Sequence, residues 1–117
     1  GGGIDKDEEV AFHHFMLAAD EGDAYAQFNV GIHYYNGYGV KKDLEKAFEY
    51  FHLAAQQGTD NAQFNIGFLY HYGQGVKQNY EEAARWYEKA MAQGKEDATF
   101  KLSLITPKLH ESGVSCE

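Results

Sequence analysis

The chain has few of the residues that most often carry chemistry, and each shortage excludes something. Its 117 residues include a single cysteine, Cys116. No internal disulfide can form, which fits a reducing compartment. Serine occurs only at Ser103, Ser112 and Ser115. No Gly-x-Ser-x-Gly elbow and no Ser-x-x-Lys pair is present. Cys116 lies close to the terminus, where no rigid surroundings would position a base beside it. The expectation is a chain that is not an enzyme. Proline occurs once, at Pro107, so no proline interrupts a helical pattern before that point.

Positive charge is also scarce. Lys and Arg total 10 against 18 Asp and Glu, a formal net charge of -8. Such a surface repels phosphate, so no nucleic acid partner is expected. No apolar run reaches the roughly 18–20 residues that cross a bilayer, so no membrane insertion is expected. The N-terminus has no basic region followed by an apolar core, and no signal peptide is expected in this chain. Localisation stays open, with the cytoplasm slightly favoured. Six histidines are present, but His33, His52, His71 and His110 are isolated. His13 and His14 are adjacent and point about 100° apart on a helix. No His-x-x-x-His spacing offers a metal site, so neither a metal nor a cofactor is expected. Isolated histidines would instead make the surface sensitive to pH.

What is abundant is repetition. Ala26, Ala62 and Ala98 lie 36 residues apart, as do Phe28, Phe64 and Phe100. Ala11, Ala47 and Ala83 keep the same step, and so do Gly22, Gly58 and Gly94. Phe15, Phe51 and Tyr87 hold an aromatic at one phase, and Gly31 and Gly67 a glycine at another. A period of this size signals a solenoid or another array.

Each period holds two helical patterns. Ala47, Phe48, Phe51, Ala54 and Ala55 mark one face of a helix. Asp43 and Asn79 precede that helix as N-caps, and Asn79 with Glu82 reads as a capping box. Gly58 and Gly94 suit left-handed C-caps. The partner helix carries Ala26, Val30, Gly31 and Tyr34 on one face. Gly31 costs about 1 kcal/mol of helix stability against alanine, so its recurrence implies close approach of two helices. Gly37 with Gly39, and Gly73 with Gly75, allow positive φ in the connecting turns. No strand precedes these turns and no Lys-Ser or Lys-Thr follows, so they are structural turns and not phosphate loops.

Six helices are predicted, at about 8–21, 24–36, 44–57, 60–72, 80–93 and 96–106. Residues 1–6 read as a cloning scar or disordered lead. Residues 7–106 read as a solenoid with a half repeat, full repeats 24–59 and 60–95, and a terminal half repeat. Pro107 is expected to stop or kink the last helix, leaving 107–117 as a flexible tail. Asp5, Asp7, Glu8 and Glu9 give one end of the stack a charged face.

The run Ala-Gln-Phe-Asn-Val-Gly-x-x-Tyr-x-x-Gly-x-Gly-Val from Ala26 to Val40 resembles the Sel-like repeat, a relative of the tetratricopeptide repeat. So do Lys46-Ala47, Tyr50-Phe51 and Ala54-Ala55 with Gly58, and the second copy from Ala62 to Gly94 with Trp86-Tyr87 at the aromatic pair. The resemblance implies an all-α fold, a right-handed α/α superhelical solenoid of antiparallel helical hairpins. It also implies a protein–protein interaction adaptor or scaffold that binds a protein or peptide in its concave groove. Some secreted, cysteine-rich members have been described as β-lactamase-like. This chain lacks paired cysteines.

The same resemblance places the first helix of each pair on the concave face. The residues it puts there are Tyr25, Phe28, Asn29, Ile32, Tyr35 and Asn36. From the second repeat come Asn61, Phe64, Asn65, Phe68, His71 and Tyr72, and from the last helix Asp97, Phe100, Lys101 and Leu104. Aromatics with hydrogen-bonding tips suit peptide contact. The carboxylate clamp of some tetratricopeptide domains is not matched, because Phe28, Ile32 and Asp97 stand where its polar and cationic groups would be. Two further readings remain beside the adaptor. One is a structural segment of a longer scaffold that self-associates through its end repeats. The other, by family analogy alone, is a hydrolase of β-lactams or cell walls.

Overall fold

Helix starts follow from short acceptors placed where free N–H groups need them. The computed structural model describes residues 5–111. Asp5 Oδ1 accepts from the amides of Asp7 (2.8 Å) and Glu8 (3.2 Å) and opens α1, Lys6–Asp20. Asp23 caps α2, Ala24–Asn36, by accepting from Ala26 N. Asp43 does the same for α3, Leu44–Gln56, through Lys46 N. Thr59 precedes α4, Asp60–Tyr72, without a side-chain capping bond. Asn79 accepts from Glu82 N and opens α5, Tyr80–Ala92. The expected capping box is only half formed there. Asn79 N donates to Tyr70 O, and the Glu82 carboxylate turns to Arg85 at 3.2 Å.

The last element, α6, spans Glu96–Glu111 and corrects the expected end at 106. Pro107 lies inside it and does not stop it. Proline removes one donor, to the carbonyl of Ser103 four residues earlier, and the helix runs past it to Glu111. Ser103 Oγ donates to Phe100 O, and Thr106 Oγ1 to Leu102 O. Of the segment read as a flexible tail, 107–111 is helical, and 112–117 lies outside the described residues.

Two kinds of turn alternate. After α1, α3 and α5 the glycines at 22, 58 and 94 take φ of 93°, 97° and 91°. After α2 and α4, Gly37 and Gly73 are left-handed C-caps. The next glycine of each pair also has positive φ, 68° at Gly39 and 73° at Gly75. A side chain at Gly39 would strike the backbone of Glu8, and one at Gly75 that of Leu44. The turn therefore rests on the start of an earlier helix.

Helices adjacent in sequence pack together along the whole series from α1 to α6, and the molecule is elongated, 53 × 29 × 20 Å. Hydrophobic clusters follow one another along it. One centres on Ala19, Ala26 and Val30, the next on Ala47, Phe51, Ala62 and Ile66, and the last on Ala83, Tyr87, Ala98 and Ile105. The glycine in the middle of α2 has the expected cause. A Cβ at Gly31 would lie 2.5 Å from Phe51 Cδ1, and one at Gly67 would lie 2.6 Å from Tyr87 Cδ1. Glutamines tie one repeat to the next. Gln57 Nε2 donates to Gly22 O (2.9 Å) and to Gln27 Oε1 (2.8 Å). Gln93 Nε2 repeats both bonds to Gly58 O and Gln63 Oε1, each at 2.8 Å.

Candidate partner-binding groove

The first helices of successive repeats, α2 and α4, stand apart enough to leave an open groove of about 290 Å³. Its α2 wall is Ile32, Tyr35 and Asn36, and its α4 wall is Phe64, Asn65, Phe68 and Leu69. Phe51 of α3 forms the floor. The spacing of three and four residues along each wall is the helical repeat that puts these side chains on one face. Six of the residues expected on the partner-binding face therefore meet here: Ile32, Tyr35, Asn36, Phe64, Asn65 and Phe68.

Their polar tips are not equivalent. Tyr35 Oη donates to Gln74 Oε1 at 2.6 Å, which fixes the ring at the groove edge. Asn36 is exposed, and its Nδ2 returns to Ile32 O. Asn29 returns likewise to Tyr25 O. Asn65, at the same phase one repeat later, is half-buried and lines the groove, and its side chain makes no hydrogen bond among the described residues. That leaves both a donor and an acceptor available.

The other expected residues fall elsewhere. Phe28 packs against Phe51, centroids 5.7 Å apart, as Phe64 packs against Tyr87 at 5.6 Å. Tyr25 is 69% exposed and meets Phe15 edge-on. Asn61 is exposed at the start of α4. Tyr72 and Lys101 form a separate cluster beside the groove. Lys101 Nζ donates to Tyr72 Oη at 2.9 Å and lies 5.1 Å from the Phe68 ring centroid.

His71 corrects the sequence expectation. It is buried, not groove-lining. Its Nδ1 meets Tyr87 Oη at 3.0 Å, and its ring stacks on Tyr72 at 4.1 Å. Burial, and secondarily the Lys101 charge, lower its pKa from the usual 6.5. Burial, with a smaller effect of Tyr72, raises that of Tyr87. A phenol that keeps its proton donates to a neutral imidazole, which satisfies both groups. His33 is buried too, with Nδ1 against Tyr38 O at 2.8 Å. These two histidines are core groups. No cluster of three metal-ligating side chains occurs among the described residues. None of the described helices is long and apolar enough to cross a membrane.

Sequence reasoning missed Phe51 and Leu69 as groove residues. Phe51 was assigned to the second helix of its pair, yet the absence of a side chain at Gly31 lets its ring reach through to the first-helix face. A second depression, about 360 Å³, lies between the α4–α5 turn and Leu109. Half of its lining is the turn residues Lys77, Gln78 and Asn79, and Gln78 Nε2 donates to His71 O at 2.8 Å.

Stacked antiparallel helix pairs with a groove between their first helices define an α/α repeat protein of the solenoid class. The Sel1 repeat pattern matches residues 1–23, 24–59 and 60–95, and the chain belongs to the Sel1 repeat family. Solved structures agree. A protective antigen of uropathogenic Escherichia coli strains, described as displaying an SLR fold, is 37% identical with a TM-score of 0.79, over 80% of this chain and 20% of that one. A Sel1 repeat protein from Oxalobacter formigenes is 35% identical with a TM-score of 0.80, over 83% and 40%. Cysteine-rich protein B of Helicobacter pylori is 31% identical with a TM-score of 0.76, over 85% and 73%. This chain thus spans less than half the length of the first two. The search of curated proteins found no match.

Proposed function

We propose that the chain is a non-catalytic interaction module that holds a protein or peptide segment in the groove between α2 and α4. The observation that carries this is the groove's composition. Apolar and aromatic walls surround one amide, Asn65, that has no internal partner. This is the usual make-up of a recognition site, with apolar contact for affinity and a few polar groups for orientation. The lining contains no Ser, Cys, His, Lys, Asp or Glu, so it offers no nucleophile paired with a base, which speaks against the hydrolase reading. Families of this repeat are commonly protein–protein interaction modules.

The test is photocrosslinking in the source cell. Benzoylphenylalanine would replace Asn36 at the groove mouth or, as a control, the exposed Leu53 of α3. A defined protein crosslinked from position 36 and not from 53 is the expected outcome. Equal crosslinking from both, or none from 36, would contradict the groove assignment.

A second reading has one observation of its own. Phe100 is 62% exposed and Leu104 43% exposed on α6, at the face where Phe28 and Phe64 meet a following helix. That suits a segment of a longer scaffold, or self-association through the end repeats. Ser103 weighs against it. Ser103 occupies the phase of Gly31 and Gly67, where any Cβ would crowd an incoming aromatic ring.

A further inference from the structure

Two lysines stand over the α4 wall of the groove, on the side that faces α6. Lys95, in the turn before α6, places Nζ 5.9 Å from the Phe64 ring centroid. Lys101, on α6, places Nζ 5.1 Å from Phe68 and 4.9 Å from Tyr72. Phe64 and Phe68 are also rings that line the groove. The aromatic faces hold the two ammonium groups near the groove.

Neither lysine forms an ion pair among the described residues, where the pair recorded is Arg85 with Glu82. This is unexpected in a chain with 18 acidic and 10 basic residues. Asp97 lies four residues before Lys101, the spacing of a helical ion pair. Lys101 bonds Tyr72 Oη instead, at 2.9 Å. The net charge of -8 would repel an acidic partner from most of the surface. Two cations without an ion-pair partner among the described residues, on a stretch that also carries Glu96 and Asp97, stand beside an apolar groove and complement carboxylates there.

We propose that this face recognises a peptide segment in which an apolar side chain is flanked by acidic ones. The apolar group seats between α2 and α4, and the carboxylates meet Lys95 and Lys101. The proposal rests on the groove reading above and adds the chemistry of the partner.

The experiment selects peptides from a phage-displayed random library on the immobilised chain. Selected sequences are then synthesised with a fluorescein label and measured by anisotropy at low and high salt. Four proteins are compared, each checked for folding by circular dichroism. They are the chain itself, Lys95→Glu with Lys101→Glu, Lys41→Glu with Lys42→Glu as an equal charge change in the α2–α3 turn outside the groove lining, and Asn65→Ala with Phe68→Ala in the groove. The expected result is selection of peptides with Asp or Glu beside an aliphatic or aromatic residue. Their binding should weaken about tenfold on reversing Lys95 and Lys101 and fall with salt, but change little on reversing Lys41 and Lys42. Selection of neutral or basic peptides, or equal losses from both lysine pairs, overturns the proposal. Loss with the groove variant alone would leave the groove reading standing without its acidic partner, and no selection at all would sink both. Sedimentation of the chain alone completes the test. A dimer abolished by reversing Lys95 and Lys101 would assign these lysines to a second copy and also overturn the proposal.

Discussion

At the scale of single residues, the molecule depends on where side chains are missing and on polar groups that arrive in pairs. Gly67 has no room for a methyl group, since its Cβ would meet both Tyr87 Cδ1 at 2.6 Å and Ala83 O at 3.2 Å. Gly67→Ala should lose about 1–3 kcal/mol through overpacking, although alanine is the better helix former. Urea unfolding measures this, and an unchanged or raised midpoint would show that the helices can part without cost. His71 and Tyr87 replace Tyr35 and Phe51 of the preceding repeat, so the hydroxyl and its acceptor appear together. Tyr87→Phe leaves His71 Nδ1 without that donor and should cost about 1 kcal/mol.

The same pair gives a pH dependence with a definite sign. His71 has a lowered pKa in the folded chain, chiefly by burial. The folded state therefore binds fewer protons than the unfolded one, and stability rises with pH wherever that difference holds. The contribution is complete above the unfolded value near 6.5 and is lost as pH falls through the folded value. NMR titration of the His71 ring should give a midpoint below that of a peptide histidine. A midpoint at or above it contradicts the burial argument.

At the scale of elements, neighbouring hairpins are joined by apolar contact and by glutamines that carry the same bonds in each repeat. Gln27 and Gln63 are buried, and each is met by a glutamine from the turn that ends the next second helix. Gln93→Ala removes donors from both Gly58 O and Gln63 Oε1 and should destabilise by about 1–3 kcal/mol. A double-mutant cycle with Gln63→Ala should show strong coupling, because the two side chains serve one contact. Additive losses would mean that the glutamines act separately. Sequence analysis found the 36-residue step of the alanines and glycines but passed over this ladder, since a polar residue at a fixed phase looks like surface until burial is known.

At the scale of the whole molecule, each inner helix packs against neighbours on two sides while α1 packs chiefly against α2. Stability in such arrays is a sum over nearest neighbours. Hydrogen exchange should be slowest in α3 and α4, which share the central cluster around Phe51 and Ile66, and faster in α1. Uniform protection along the chain would indicate that the array unfolds as one unit.

Much of this architecture was legible in one dimension. The 36-residue step, the helix count, the Asp and Asn caps and the positive-φ glycines all follow from local rules of backbone and periodicity, which depend on near neighbours. The bounds of α2 and α4 agree with expectation for that reason. Six of the eight groove residues were legible too, because the repeat resemblance puts Ile32, Tyr35, Asn36, Phe64, Asn65 and Phe68 on one face. What tertiary structure decided is which of the face residues remain open. His71 turned inward because Tyr87, sixteen residues away, offers a hydroxyl at hydrogen-bonding distance. Phe51 entered the groove because Gly31 lets it through. Lys95 and Lys101 came to stand over Phe64 and Phe68 because α6 packs back beside α4. Periodicity specifies the side of a helix on which a residue lies, whereas burial and pairing depend on what another helix places opposite, and only the packed chain determines that.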